Sequence, residues 1–285
     1  LPVAIVPMPY ELCDDDNDGT SDFVLSSLDS EISGGNTDLL VSYFINLVTA
    51  GMPGGTALPD DFTSSSRTIG ARVTNINTGC FTTVPVDLVA VPSPTPMMIP
   101  PVESCALVGE VTADFNLTIP SILNTIANGE PVDITFHESE TEAIAGTPQI
   151  TNTTAYNTET TTIWVRSTEN DPATSTACFT VISIELVVNP IPEIPDDLEE
   201  LVTCVPDLSA GATFNLTERE DAVYGSQARA DFTISYHESM ISAETSTVAG
   251  IANPTNYMTL MGREIWVRLE NNDTGCFSVD SFMIT

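Results

Sequence analysis

The chain has 285 residues, room for two or three domains, and although 42% are apolar no run approaches the roughly 18 apolar residues of a membrane span. Forty acidic residues stand against seven basic ones, a net charge of −33, and every base is an arginine. Such a potential repels nucleic acid and anionic membranes, so neither nucleic-acid binding nor membrane insertion is expected. It attracts divalent cations or basic partners instead, and suits an extracellular surface tolerant of salt and calcium.

The opening "LPVAIVPMPYEL" lacks the basic region and cleavage motif of a signal peptide and has the texture of a linker. "CDDDNDGTSD" follows from Cys13, then "SDFVLSS" at 21, "VSYFIN" at 41 and "TIGARVTNINTGCF" at 68. "CFTTVPVDLVAVPSP" from Cys80 runs into the proline-rich "TPMMIPPVES". The same sentence is then written again. "ADFNLTI", "ITFHES", "TIWVRSTENDPATSTACF" and "CFTVISIELVVNPIP" form the second copy, and "ATFNLTE", "ISYHES", "EIWVRLENNDTGCF" and "CFSVDSFMIT" the third. The boundaries fall at 1–92 (with the linker at 1–12), 93–190 and 191–285, and the organisation reads as a window of a longer tandem array.

Within each copy the period is two. Phe232, Ile234 and Tyr236 share one face, Ile265, Val267 and Leu269 another, and Val86 with Leu88, Ile184 with Leu186 and Phe282 with Ile284 hold equivalent inward places. β-Branched and threonine-rich alternation of this kind predicts an all-β chain of three tandem Ig-like β-sandwiches, each of about seven short strands. Helical turns are expected in "PSILNTIANG" from Pro120, in "TEAIAG" and in "ISAETS". Prolines at every second or third position of the linkers forbid helix and predict semi-rigid spacers between domains.

The six cysteines lie at 13, 80, 105, 178, 204 and 276, spaced by 92 and 99 for the first of each pair and 98 and 98 for the second. Without CxxC spacing they read as disulfides rather than zinc ligands. Of 15 connectivities, the repeat favours one internal bond per domain, Cys13–Cys80, Cys105–Cys178 and Cys204–Cys276. Such bonds place the protein in an oxidising compartment outside the cytoplasm.

"YELCDDDNDGTSDFVLSS", "ISYHES", "IWVRLENNDTGCF" and "ELVVNPIP" together resemble the tandem repeats of very large cell-surface proteins of Bacteroidota, similar to the gliding-motility adhesins and other cargo of the type IX secretion system. The resemblance covers the chain three times over. It implies secretion across the outer membrane, extended surface filaments, and a role in adhesion or motility.

The sharpest chemical motif is the acidic loop. Asp14, Asp16 and Asp18 alternate before Gly19, with Thr20 offering a carbonyl and Asp22 a direct or water-mediated ligand. This is the first half of an EF-hand-like calcium loop, and hard carboxylate oxygens suit Ca2+. Leu25 occupies the twelfth position, where a bidentate glutamate would stand, so a solvated acidic loop tethered by Cys13 is the alternative. Glu169, Asn170 and Asp171, and Glu270, Asn271 and Asp273, precede the late cysteines and read as tight turns.

His137 and His237, each followed by a glutamate, read as cross-strand surface contacts, because catalytic machinery is rarely duplicated and no nucleophile has a matching context. No catalytic or cofactor-binding residue is assigned, and the chain is not read as an enzyme. Arg72, Arg166 and Arg268 share one repeat position, with Trp164 and Trp266 two residues before the last two, a spacing that predicts a Trp–Arg stack bridged to a carboxylate. "NLT" at Asn116 and Asn215 matches a glycosylation acceptor but sits in predicted strands.

The function expected is a structural or adhesive segment of an extracellular filament, with one domain roughly every 40 Å and neighbouring repeats as its partners. A glycan- or protein-binding module using "INLVTAGMPGGTALPDDF", or a filament subunit assembled by strand addition, are the alternatives.

Overall fold

The computed structural model describes residues 1–170, 174–204, 211–245, 249–260 and 262–285. The alternating segments form strands. In the first repeat these are β1 (Tyr10–Asp14), β2 (Ser21–Val24), β3 (Leu39–Phe44), β4 (Asp61–Ser64), β5 (Arg67–Asn75) and β6 (Phe81–Pro92). The second repeat has β7 (Val102–Cys105), β8 (Ala113–Phe115), β9 (Val132–His137), β10 (Tyr156–Thr158), β11 (Thr161–Glu169) and β12 (Phe179–Asn189). In the third are β13 (Ala212–Phe214), β14 (Phe232–His237), β15 (Tyr257–Thr259), β16 (Arg263–Asn271) and β17 (Phe277–Ile284).

Each repeat is a sandwich of a larger and a smaller sheet. The larger ones run β1-β6-β5-β3, β7-β12-β11-β9 and β14-β16-β17, and the smaller ones are the pairs β2–β4, β8–β10 and β13–β15. The inward positions foreseen from the alternation are buried: Val86, Leu88, Ile184, Leu186, Phe282 and Ile284, with Ile265, Val267 and Leu269 beside the last pair. Burying such side chains contributes about 1.5–3 kcal/mol each, which holds the two sheets together. Short helices close the strand connections: α1 (Asp29–Ser33), α2 (Leu47–Gly51), α3 (Pro120–Ala127), α4 (Glu140–Ala145), α5 (Glu220–Tyr224) and α6 (Met240–Thr245). The three foreseen helical turns are α3, α4 and α6. Ser139 caps α4 by accepting from the Glu142 amide, and Gly146 ends it at φ 74°.

The first strand of each repeat lies parallel on the last, which antiparallel hairpins alone do not produce. Cys13 stands opposite Val91 and Cys105 opposite Asn189. In the third repeat Leu201 bridges Ile284 in the same sense. A repeat therefore has two poles. The late cysteine sits in the turn before the last strand, where the linker arrives. The early cysteine sits beside the end of that strand, where the chain departs.

Rising about 3.3 Å per residue, β6 separates Cys80 from Val91, and hence from Cys13, by about 36 Å. A disulfide needs Cα atoms about 4.4–6.8 Å apart, so the expected internal bond cannot close. The bonds formed are Cys13–Cys178 and Cys105–Cys276, each with Cα atoms 5.5 Å apart, and each joins one repeat to the next. The internal pairings Cys13–Cys80, Cys105–Cys178 and Cys204–Cys276 are thus overturned, and Cys80 and Cys204 remain as exposed thiols.

The packing divides into two units, the first comprising Leu1–Pro100, Leu117–Thr153 and Thr162–Ile184, and the second Pro101–Asn116, Thr154–Thr161 and Glu185–Thr285. One disulfide lies within each. Among the described residues no helix is long and apolar enough to cross a membrane.

Candidate functional site: the clamped junctions and their acidic loop

In the first unit the chain leaves β6 at Pro92 and passes directly along the second repeat. Thr180 Oγ1 donates to the Pro94 carbonyl at 2.6 Å, Met97 N donates to the Ile126 carbonyl at 3.2 Å, and the Thr95 amide donates to Glu130 at 2.9 Å. Asn128 Nδ2 donates to the Thr95 carbonyl at 3.1 Å. The linker is therefore a docked strap, where its prolines alone suggested a free spacer. In the second unit Ser278 Oγ donates to the Pro192 carbonyl, and Glu193 and Gln227 exchange hydrogen bonds of 3.2 and 2.6 Å. Proline makes such straps cheap to dock because little chain entropy remains to be lost.

Beside the Cys13–Cys178 bond, one carboxylate oxygen of Glu11 accepts from the Ser175 amide at 2.7 Å, the Ser175 hydroxyl at 2.6 Å and the Thr176 amide at 3.1 Å. The Ser175 side chain first, then its amide, hold the Glu11 pKa below the ordinary 4.5. A lowered folded pKa gives a contribution present in full above pH 4.5 and lost as the pH falls through the folded value. Glu11→Gln is therefore expected to destabilise the fold at pH 7, by less than about 1 kcal/mol for a group that water still reaches, and to converge on the parent as the pH falls below the ordinary carboxylate range. A constant difference across that range in paired thermal melts would refute the role. Sequence reasoning passed over this residue. The signal was there: "YELC" and "VESC" both carry glutamate two positions before the early cysteine, and Glu103 accepts from Asn189 Nδ2 at 2.7 Å in the second unit.

The acidic loop continues from Cys13 at the departing pole of the first repeat. Asp14 is buried, and its two oxygens accept from the amides of Asp18 at 3.2 Å and Gly19 at 2.8 Å. Asn17 and Gly19 take positive φ of 54° and 89°, folding the loop back on itself. Asn17 and Ser93 exchange hydrogen bonds of 3.1 and 3.0 Å, tying the loop to the start of the strap. Asp14, Asp16 and Asp18 present ligand oxygens within 4.8 Å of one another. Oxygens bound to one Ca2+ at 2.3–2.6 Å lie no more than about 5 Å apart, so these three fit that cation. Thr20 donates both its amide and its hydroxyl to Asp18, at 2.8 and 2.7 Å, and stays within the loop. Asp22 lies outside the group, on β2, where it accepts from Thr63 Oγ1 across the sheet. Leu25, at the twelfth position, is in the core.

Both histidines are buried rather than on the surface. Alternation points them away from the sandwich core, but the segments following β9 and β14 fold over that face. His137 Nδ1 donates to the Pro148 carbonyl at 2.6 Å, which leaves Nε2 to accept from Thr135 at 2.9 Å. His237 is held by Ser235 and Ser242, both at 2.9 Å, and burial first, then the charge of Arg268, lower its pKa. Glu238 turns instead to Tyr257 Oη at 2.8 Å and Arg263 at 3.2 Å, so His237 and Glu238 form no acid–base pair.

The three equivalent arginines share one task. Each guanidinium donates to the last carbonyls of the helix above it: Arg72 to Ala50, Arg166 to Ala143 and Ile144, Arg268 to Ala243 and Glu244. Cations belong at helix C-termini, where carbonyls lack partners. Each also lies over the phenylalanine after the late cysteine, 4.8 Å from Phe81, 3.4 Å from Phe179 and 3.3 Å from Phe277. The expected Trp–Arg stack is thus replaced by a Phe–Arg stack, and only the carboxylate bridge, Arg268 to Glu270 at 2.7 Å, appears as foreseen. Trp164 and Trp266 stand opposite His137 and His237. The first repeat has Phe44 opposite Gly70, where a Cβ would meet the Asn46 carbonyl oxygen at 2.6 Å because α2 approaches so closely.

The turn before Cys276 is as read, Asn271 Oδ1 accepting from the amides of Asp273 and Thr274, while the turn expected at Glu169, Asn170 and Asp171 runs into residues outside the described ones. Asn116 and Asn215 follow β8 and β13 directly rather than lying within them.

Among solved structures the chain is similar to Sidekick-1 immunoglobulin domains 1–5, at 11% identity over 87% of this chain with a TM-score of 0.23, and it spans 52% of that structure. Drosophila N-cadherin EC1-3 aligns at 8% identity over 98% of this chain and 99% of that one, TM-score 0.23, and the zebrafish RET cadherin-like domains 1 to 4 at 9% over 98% and 72%, TM-score 0.19. No curated protein matches the chain. A family description does, over residues 9–94, 101–192 and 200–285, which are the units that the cysteines connect. With all three repeats matched, the chain belongs to the family of the Flavobacterium inter-domain disulphide bond domain.

Proposed function

We propose that this chain is a structural or adhesive segment of an extracellular, cell-surface protein, in which covalent bonds between successive repeats fix how one repeat follows the next. The observation that carries this reading is the pair of disulfides that skip their own domains and clamp a neighbour beside a docked strap. Within the stretch at 45–62, the best loop for a ligand, Leu47–Gly51 forms α2, which Arg72 pins down, and this favours a structural role over a binding loop. Export to an oxidising compartment follows from the disulfides, and surface attachment or gliding motility is the setting that the resemblance supplies. Small-angle scattering tests the reading: the oxidised chain is expected to be elongated, at roughly 40 Å per repeat, and to become more variable on reduction. A compact particle indifferent to reductant would overturn it.

We further propose that Asp14, Asp16 and Asp18 hold Ca2+ at the first junction, with the cation tightening the loop that Asn17 ties to Ser93. Calcium is expected to raise the melting temperature of the parent chain, and D16N/D18N to abolish that rise while leaving the metal-free melt unchanged. An equal rise in both proteins would show that the loop is only a solvated acidic turn.

A further inference from the structure

The chain that follows the early cysteine is treated differently at the two junctions. In the first repeat it is tied to the strap through Asn17 and Ser93. Its counterpart in the second repeat, the turn from Ala106 to Thr112, bonds to itself: Leu107 N donates to the Thr112 carbonyl at 2.8 Å and Glu110 N to the Leu107 carbonyl at 2.9 Å. Gly109, at φ 77°, lets this turn reverse. Its apolar side chains are left in water, Val108 90% and Val111 69% exposed.

This turn, the strap at 190–196 and the third repeat together line a groove of about 1260 Å3. The strap is fixed in place, since Ser278 Oγ donates to the Pro192 carbonyl and Gln227 holds Glu193 by both its amide and its carbonyl. Apolar side chains enter from all three sides, Val108 and Val111 from the turn, Ile191 and Ile194 from the strap, and Met240 and Val279 from the third repeat. Exposed apolar surface gathered in this way and rimmed by polar groups marks a contact site. The groove exceeds the roughly 300–1,000 Å3 of a small-molecule pocket, so a stretch of polypeptide suits it better.

Its charge narrows the choice. Glu110, Glu193, Asp196, Glu244 and Asp280 line the same groove. The ion pairs of the arginines go instead to Glu199, Glu220, Asp221, Glu238 and Glu270, so among the described residues none of the five has a cationic partner. A second copy of the chain is a poor source of the missing cations. It has no lysine, Arg72, Arg166 and Arg268 are held beneath helices, and Arg219, Arg229 and Arg263 face their own acids. The exposed Arg67 is one charge against five.

We propose that this groove docks a segment of a different protein, one that mixes lysine or arginine with large apolar residues. Its apolar side chains sit between the turn and the strap, and its cations meet the five carboxylates. Apolar burial supplies the affinity, while the charge speeds encounter and rejects acidic partners. The inference stands on the groove and not on the proposed structural role.

The test uses the intact 285-residue chain at physiological salt with short fluorescein-labelled synthetic peptides. One alternates lysine with leucine, a second lysine with serine, and a third glutamate with leucine. By fluorescence anisotropy the lysine–leucine peptide is expected to bind roughly tenfold or more tightly than either of the others. The decisive variant is Val108→Asp/Val111→Asp. It adds two negative charges, so general attraction to an acidic surface would strengthen, whereas loss of the apolar wall should weaken binding roughly tenfold. Glu110→Gln/Glu193→Gln should weaken it too. All four side chains are exposed, and an unchanged melting temperature separates lost binding from lost folding. Equal binding of the lysine–serine peptide would mean an acidic surface only, and equal binding of the glutamate–leucine peptide an apolar partner. Sedimentation showing self-association of the parent but not of Val108→Asp/Val111→Asp would mean a second copy. Any of these, undiminished binding by that variant, or no binding of the lysine–leucine peptide would overturn the proposal.

Discussion

Trypsin digestion of the alkylated, unreduced chain is expected to yield two separate disulfide-linked pairs of peptides, residues 1–67 with 167–219 and residues 73–166 with 269–285. The chain has no lysine, and its arginines at 67, 72, 166, 219, 229, 263 and 268 cut between the cysteines so that the two connectivities give different products. Bonds within repeats would chain all four of those peptides into a single species. Bonds between repeats leave the two pairs free of each other, with alkylated Cys80 in one and alkylated Cys204 in the other. Replacing Cys13 and Cys178 together by serine should remove the first pair and leave the second. The bond spans 165 residues of sequence, and a loop of that size stabilises by about 5 kcal/mol in the chain-entropy picture. A large fall in the melting temperature is therefore expected, together with new protease sensitivity in the strap at 93–100. A single four-peptide species on mass spectrometry would reject the clamped junctions outright.

Arg268→Ala is expected to destabilise the third repeat by about 3 kcal/mol, the cost of breaking a buried charge out of its network. The guanidinium is 7% exposed, donates to the Ala243 and Glu244 carbonyls and to Glu270, and covers Phe277. Removing it leaves the end of α6 without a donor and opens the face of the ring. Arg268→Lys keeps the charge but not the planar fork, and should recover less than half of the loss. Trp266, two residues away on the same strand, reports local unfolding by fluorescence during denaturant titration. A loss below about 1 kcal/mol, the range of an exposed ion pair, would show that the network is ornamental.

Much of this architecture was legible in the residues. Period-two alternation placed Val86, Leu88, Ile265 and Val267 in the core, because a pleated strand has only two faces and the apolar one must be inside. The helical turn expected in "TEAIAG" is α4, whose caps at Ser139 and Gly146 are local and need no tertiary context. The cysteine pairing was not legible in the same way. A bond from each early cysteine to the late one of its own repeat, or to that of the next, leaves the spacing pattern equally regular. The choice is made by the parallel seating of β1 on β6, which sends Cys13 to the pole opposite Cys80. The burial of His137 and His237 was hidden for a related reason: alternation separates two faces but does not say that α4 and α6 will roof the outer one. In the acidic loop, the alternate aspartates were enough to predict that three carboxylates converge. The departure of Asp22 into β2 depended on where the strand began.

The two sulfur bridges interleave, since Cys105 lies inside the span closed by Cys13 and Cys178, and Cys178 inside that closed by Cys105 and Cys276. Under tension between the termini, load would pass along residues 1–13, cross to 178, run backward to 105, cross to 276 and leave at 285. That path uses about 95 residues and caps the extension near 330 Å, against about 1,000 Å for the unbridged chain. Pulled to failure, such a tether would stop short at a third of its contour, with the middle repeat strained in reverse and the outer two largely shielded from the pull.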